Sequence, residues 1–396
     1  MHVADDLKEV DGDLTVRFTP NRPTHRLVFR LWPNGPLQRR EGSQLEVGDA
    51  TSDGQTLAAS RPDPTTLVLR VPLRAGQTLT VHVPWRLRLP LDARDRVSRF
   101  AGGIRLGSFF PILAWDPRRG WVTDPPAQIL AESSTTPASD FDVRVDTPSG
   151  MRALVSGTNV GVGHWHASGV RDIGLAVGRF RIVSRIAHAP RPVTVQVGVM
   201  RLSAVQAGTI LRMATRALER LSRLYGPYPW RTYTLVVPPD LRNAGIEYPT
   251  LTFIGTGPIL RVIVDHETAH QWFYSLVGND QARDPWLDEA LATWGQLQLG
   301  GGLPGSLAGA PDSEFQHVGS PMTYWSRHQV RYFREVYGGG VVALASLGSA
   351  RRVNCALHHY AARNAFRIAQ PGDLLDAFNR VLPGAERRLR RFGIHR

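Results

Sequence analysis

The stretch Val264 to Trp294, VDHETAHQWFYSLVGNDQARDPWLDEALATW, decides how the rest of the chain is read. It contains His266-Glu267-Thr268-Ala269-His270, and Glu289 follows after eighteen intervening residues. On a helix, residues four apart lie one turn apart on one face, so both imidazoles can reach a single ion. Glu267, one step round, lies beside that ion, where a base for an activated water belongs. Glu289 then supplies a third ligand from a second helix running back past the first. Three protein ligands with one position left open are the pattern of a catalytic zinc site, one Zn²⁺ per chain.

The flanking residues agree with two helices. Pro258 suits a first helical turn, the run from Ile259 to Val277 is largely apolar, and Gly278 is a natural stop. Asp284-Pro285 reads as an N-cap with proline at N1, opening the helix that carries Glu289. Asp288 has two readings: a partner that orients a ligating histidine, or an acid placed at a helix N-terminus.

Outward from this stretch, the 396 residues are enough for two cores. An apolar fraction of 42% and a charged fraction of 20% are those of a soluble globular chain. No apolar run reaches the length of a transmembrane segment. The start, Met-His-Val-Ala-Asp-Asp, lacks the basic and apolar regions of a signal peptide, so a cytoplasmic protein or a secreted or cell-envelope mature form is expected. Cys355 is the single cysteine, which excludes an intrachain disulfide framework, and it is expected to pack as a small buried hydrophobe. The net charge of +13 comes almost wholly from arginines spread along the chain, since Lys8 is the only lysine. That dispersion, with one cluster at Arg387 to Arg391, argues against nucleic acid as a partner.

Residues 1–201 read as an N-terminal β domain. Alternating runs recur at Leu14 to Phe18, Arg26 to Leu31, Thr66 to Val71, Gln77 to Pro84, Phe141 to Val145 and Val193 to Val199. Turn residues such as Pro33-Asn34-Gly35 separate them, as in a β-sandwich or saddle. His164 and His166 alternate on one strand and, with no acidic neighbour in sequence, read as surface histidines. Near Ser203 the period changes: Ile210, Met213, Ala217, Leu218, Leu221 and Leu224 fall at helical spacing, ended by Gly226-Pro227. Residues 202–396 therefore form a second, mixed α/β domain, and the fold class is α+β.

Together these residues resemble the aminopeptidase N family of gluzincin metallopeptidases, which also includes leukotriene hydrolase. That family has the same HExxH and glutamate at the same spacing, a Gly-Ala-Met-Glu-Asn loop before them and a Tyr-x-x-Gly motif after them. Here Ala244-Gly245-Ile246-Glu247-Tyr248 stands at the loop position, and Tyr337-Gly338-Gly339-Gly340 at the second. Leu224 to Trp230 is similar to the family's linker into its catalytic core, and Tyr360 to Phe378 to its final helical pair.

The resemblance implies a thermolysin-like catalytic domain, with His266, His270 and Glu289 as zinc ligands and Glu267 as the base. It also implies a substrate-binding segment of Ala244, Gly245, Ile246 and Glu247, in which Glu247 holds the free N-terminus of a peptide. Tyr337 would donate to the oxyanion, with Tyr324 and Tyr332 as rivals. A polar contact to the substrate amine is expected from the first domain, with Gln128 to Glu132 as the candidate segment. The implied activity is that of a zinc aminopeptidase. Two alternatives stay open: a zinc endopeptidase of the same fold, and a non-catalytic peptide-binding protein with a vestigial zinc site.

Overall fold

The computed structural model describes residues 1–131, 135–300 and 312–396. The chain forms two compact units, Met1–Val155 with Asn159–Phe180, and Ser156–Thr158 with Arg181–Arg396. The fold is α+β, with helices of more than two turns confined to the second unit among the described residues.

The first unit is built from sheets whose strands follow the alternation of their sequences. Glu9–Phe18 pairs antiparallel with Leu79–Arg88 over its whole length, Glu9 opposite Arg88 and Phe18 opposite Leu79. In Leu79–Arg88 the residues Val81, Val83, Trp85 and Leu87 are buried while His82, Arg86 and Arg88 are exposed, the period of two that a half-buried strand requires. A second sheet runs Ile112–Leu113, Thr24–Arg30, Thr66–Leu73, Ala59–Asp63. A third runs Ser98–Phe100, Gly103–Gly107, Gly174–Gly178, Arg152–Val155. On a further sheet Asp142 lies opposite His166, and its Oδ1 is 3.0 Å from His164 Nε2 and 3.6 Å from His166 Nδ1. The acidic partner of the two histidines thus comes from across the sheet, some twenty residues away in sequence, where no local pattern announces it.

The packing boundary falls after Phe180, not at residue 201. Arg181–His188 and Pro192–Val199 form a hairpin whose second strand lies parallel to Thr232–Val237. A parallel pair needs a long crossover, and the helix Ala204–Tyr225 supplies it. The change of period near Ser203 therefore marks a step inside one β-α-β unit. That helix opens with a capping box: Ser203 Oγ accepts from Gln206 N at 3.2 Å, and Gln206 Oε1 accepts from Ser203 N at 2.9 Å. The sheet continues through Leu251–Ile254, parallel to Thr232–Val237, to an antiparallel edge strand, Gly245–Tyr248.

The histidine helix is shorter than the apolar run predicts: it spans Leu260–Ala269 and ends at His270. Beyond it the chain winds in wider turns, with Ser275 N bonded to His270 O and Leu276 N to Gln271 O. Tyr274 stands at a φ of 119°, a conformation that a non-glycine residue seldom adopts. Trp272 to Val277 are buried throughout, so hydrophobicity alone does not separate helix from turn there. The glutamate helix, Trp286–Gln298, opens just after Asp284-Pro285. Cys355 is exposed rather than buried, because the helix Ala350–Asn364 turns Val353, Ala356, Leu357 and Tyr360 inward. No helix among the described residues is long and apolar enough to cross a membrane.

Candidate active site

The histidine helix and the glutamate helix pack closely enough that a Cβ on Gly295 would lie 2.8 Å from the Ala269 Cβ. That approach brings the first turn of one helix beside the last turn of the other. His266 Nε2 lies 3.1 Å from His270 Nε2 and 3.3 Å from Glu289 Oε2, and His270 Nε2 lies 3.5 Å from the same oxygen. Three donors held tetrahedrally at zinc distances of about 2.0–2.1 Å would stand about 3.3–3.4 Å apart. The donor triangle therefore fits Zn²⁺.

The surroundings select which atoms point inward. His270 Nδ1 is 2.7 Å from Asp288 Oδ1 and 3.1 Å from the Phe273 carbonyl, both acceptors only. Nδ1 must therefore carry the proton, which leaves the Nε2 lone pair free for a metal. Gln281 Nε2 donates to Asp288 Oδ2 at 3.1 Å and holds that carboxylate in turn. Of the two readings of Asp288, the geometry shows the histidine contact, while the residue also lies in the first turn of its helix. Gln281 lies in a loop, with no pattern to mark it.

Glu267 is buried against the edge strand: a Cβ on Gly245 would lie 2.3 Å from Glu267 Oε1. Its Oε2 is buried without a hydrogen-bond partner among the described residues, an acceptor that points to a small donor in the site. Burial raises the Glu267 carboxyl well above its usual range, and the charges of Glu247, Glu289 and Asp288 add to this while His270 opposes it. Burial lowers His266. Although burial opposes it, the contacts with His266 and His270 hold Glu289 well below the usual carboxylate range. So many buried carboxylates around two imidazoles suit a bound divalent cation.

Glu247, buried on the edge strand, has its donor atom within 4.8 Å of those of His270 and Asp288. Gly245 shares its face of the strand, whereas alternation turns Ile246 to the other face, where it is buried. Ala244 contributes its carbonyl to Gly255 N at 2.8 Å, closing the strand's entry. Tyr337 stacks on His266, ring centroids 5.6 Å apart and planes at 18°. It lies in a π-helical segment, Phe333–Gly339, a wide turn often found at functional sites. Tyr324 packs between His317 and His328, and Tyr332 is buried behind Tyr337 at 5.9 Å between ring centroids. Of the Gln128 to Glu132 segment, Glu132 lies outside the described residues.

Two histidines on one helix and a glutamate from the next thus form one cluster beside a five-stranded sheet. Residues 211–322 match the Peptidase family M1 domain. It is similar to aminopeptidase RNPEPL1 of Mus musculus, 40% identical over 88 residues, covering 21% of this chain and 12% of that protein. It is similar also to aminopeptidase B of Rattus norvegicus, 36% identical over 84 residues, covering 19% of this chain and 13% of that protein. The matched stretch is thus a small part of each curated relative. The fold resembles the crystal structure of an M1 zinc metallopeptidase from Deinococcus radiodurans. There the TM-score is 0.67 at 21% sequence identity, over 97% of this chain and 90% of that one.

Proposed function

We propose that this protein is a zinc-dependent aminopeptidase that removes residues from the free N-terminus of peptides, on a second unit of thermolysin-like design. The carrying observation is the donor triangle of His266, His270 and Glu289 with the unpartnered Oε2 of Glu267 and the buried carboxylate of Glu247 beside it. Zn²⁺ bound by that triangle supplies a Lewis acid that polarises a peptide carbonyl and lowers the pKa of water.

The chain's own groups do the rest. Glu267 accepts a proton from the attacking water at Oε2 and passes it to the departing amine; its raised pKa suits a group that must both take and release a proton. The Tyr337 phenol stays protonated, because burial and the Glu289 charge raise it, and it donates to the oxyanion as that charge develops. Glu247 accepts from the substrate's α-ammonium. The carboxylate attracts a terminal ammonium through a charge-assisted hydrogen bond, and a blocked terminus, which offers no charge, forgoes that interaction. The edge strand presents Gly245 and its neighbours to the peptide backbone.

The test pairs free and N-acetylated peptides with zinc-loaded protein, products being followed by mass spectrometry beside a Glu267→Gln variant. Stepwise loss of single residues from free peptides only, abolished in the variant, is the expected result. Internal cuts in both peptides would assign an endopeptidase and remove Glu247 from its role. Absence of cleavage with zinc bound would assign a peptide-binding protein.

A further inference from the structure

The strand that carries Glu247 returns through a two-residue turn, Pro249-Thr250, between Tyr248 and Leu251. Proline holds φ near −65°, and Thr250 stands at a φ of 64°. A negative φ followed by a positive one is the type II pattern, which matches the twist of a tight hairpin poorly and asks for glycine at its second position. A β-branched threonine there is strained. Contacts from outside the hairpin must therefore hold this turn.

One side chain supplies two of them. Gln271, wholly buried, donates from Nε2 to the Tyr248 carbonyl at 3.0 Å and accepts at Oε1 from the Thr250 N–H at 2.9 Å. The Tyr228 phenol lies 3.5 Å from the same Oε1 and steadies the amide's orientation. On the other side, Thr234 N donates to the Thr250 carbonyl at 2.8 Å and Gly157 N to Thr250 Oγ1 at 2.6 Å. Gln271 directly follows His270 in the chain. The residue that clamps the turn thus sits next to a member of the donor triangle, while Glu247 directly precedes the clamped Tyr248.

We propose that Gln271 is a positioning residue for recognition of the substrate ammonium: its carboxamide sets where Glu247 stands relative to the His266, His270 and Glu289 donors. This rests on the assignment of Glu247 to that ammonium. Gln271 touches neither substrate nor metal, and it acts only through the hairpin.

Methionine at this position keeps the length and packing of glutamine and loses both hydrogen bonds. The experiment measures binding of trialanine and N-acetyl-trialanine by calorimetry to zinc-loaded Glu267→Gln protein, with and without Gln271→Met. Loss of both hydrogen bonds, partly recovered by relaxation, predicts about a tenfold loss of affinity for the free peptide. Binding of the acetylated peptide and a zinc content of one per chain should not change. In protein with Glu267 intact, KM for free peptides should rise while kcat moves by a smaller factor.

An unchanged preference for the free peptide in the Gln271→Met protein would overturn the proposal. So would equal weakening of both peptides, or loss of zinc, either of which makes Gln271 a general support of the domain. If the parent protein itself prefers neither peptide, the Glu247 assignment fails first and this proposal with it. Should Gln271→Met not fold, Gln271→Glu keeps the acceptor for Thr250 N–H, loses the donor to Tyr248, and reads the same ratio with a smaller loss expected.

Discussion

Replacing the Tyr337 phenol with a phenyl ring preserves its stack on His266 and removes one donor. For Tyr337→Phe, kcat is expected to fall about 100- to 1,000-fold with KM within a few-fold, as steady-state kinetics would show. A fall in KM affinity alone would instead place the phenol in ground-state binding. Asp288→Asn keeps an acceptor for His270 Nδ1 and loses the charge, so zinc affinity should drop about 10- to 100-fold in competition with a chelator. These residues differ in how far their sequence shows them. His266, Glu267, His270 and Glu289 are readable because helix geometry turns spacing directly into proximity, and Asp288 because it adjoins Glu289. Gln281 and Gln271 are not: each earns its contact from a fold that brings a loop or a turn to its amide.

Gly295 belongs to the scale of elements, since it sets how closely two helices approach. In Gly295→Val, branched atoms would meet the Ala269 Cβ and force the glutamate helix outward. Overpacking of this kind costs about 1–3 kcal/mol. The expected result is a lower unfolding temperature together with weaker zinc binding, read by calorimetry; lower stability with unaltered zinc affinity would mean that Glu289 follows its helix back. The strands of the first unit are legible because alternating burial imposes alternating polarity, as in Leu79–Arg88. The end of the histidine helix is not, because Trp272 to Val277 are buried whatever conformation they take.

The pH response belongs to the molecule as a whole. Asp172 is fully buried in the first unit, where burial pushes its carboxyl up to about 6 from 3.8, against hydrogen bonds from Ser108 and Ile173 N and the charge of Arg96. A raised carboxyl stabilises the fold fully below the unfolded pKa, and this contribution is lost as pH rises through the folded value. Between pH 4 and pH 6 the loss amounts to about 3 kcal/mol at most. Asp172→Asn removes the titration while keeping an acceptor for Ile173 N and a partner for Ser108. Its stability relative to the parent should therefore rise across that window, as urea unfolding at pH 4.5 and pH 7.5 would show. A constant difference at both pH values would mean that Asp172 stays ionised in the folded state.

What depends on short separations was legible along the chain: the cluster of two histidines and a glutamate on two successive helices, the acid beside it, the β character of the first unit and the family that these residues resemble. Only the tertiary structure decided the allegiance of residues 181–199, the meeting of Asp142 with two histidines, and the place of Glu247 beside His270. The reason is physical. Local periodicity is written into a few consecutive dihedral angles, whereas a strand's partner, or a turn held by a distant glutamine, is chosen by the packing of segments that no spacing along the chain brings together.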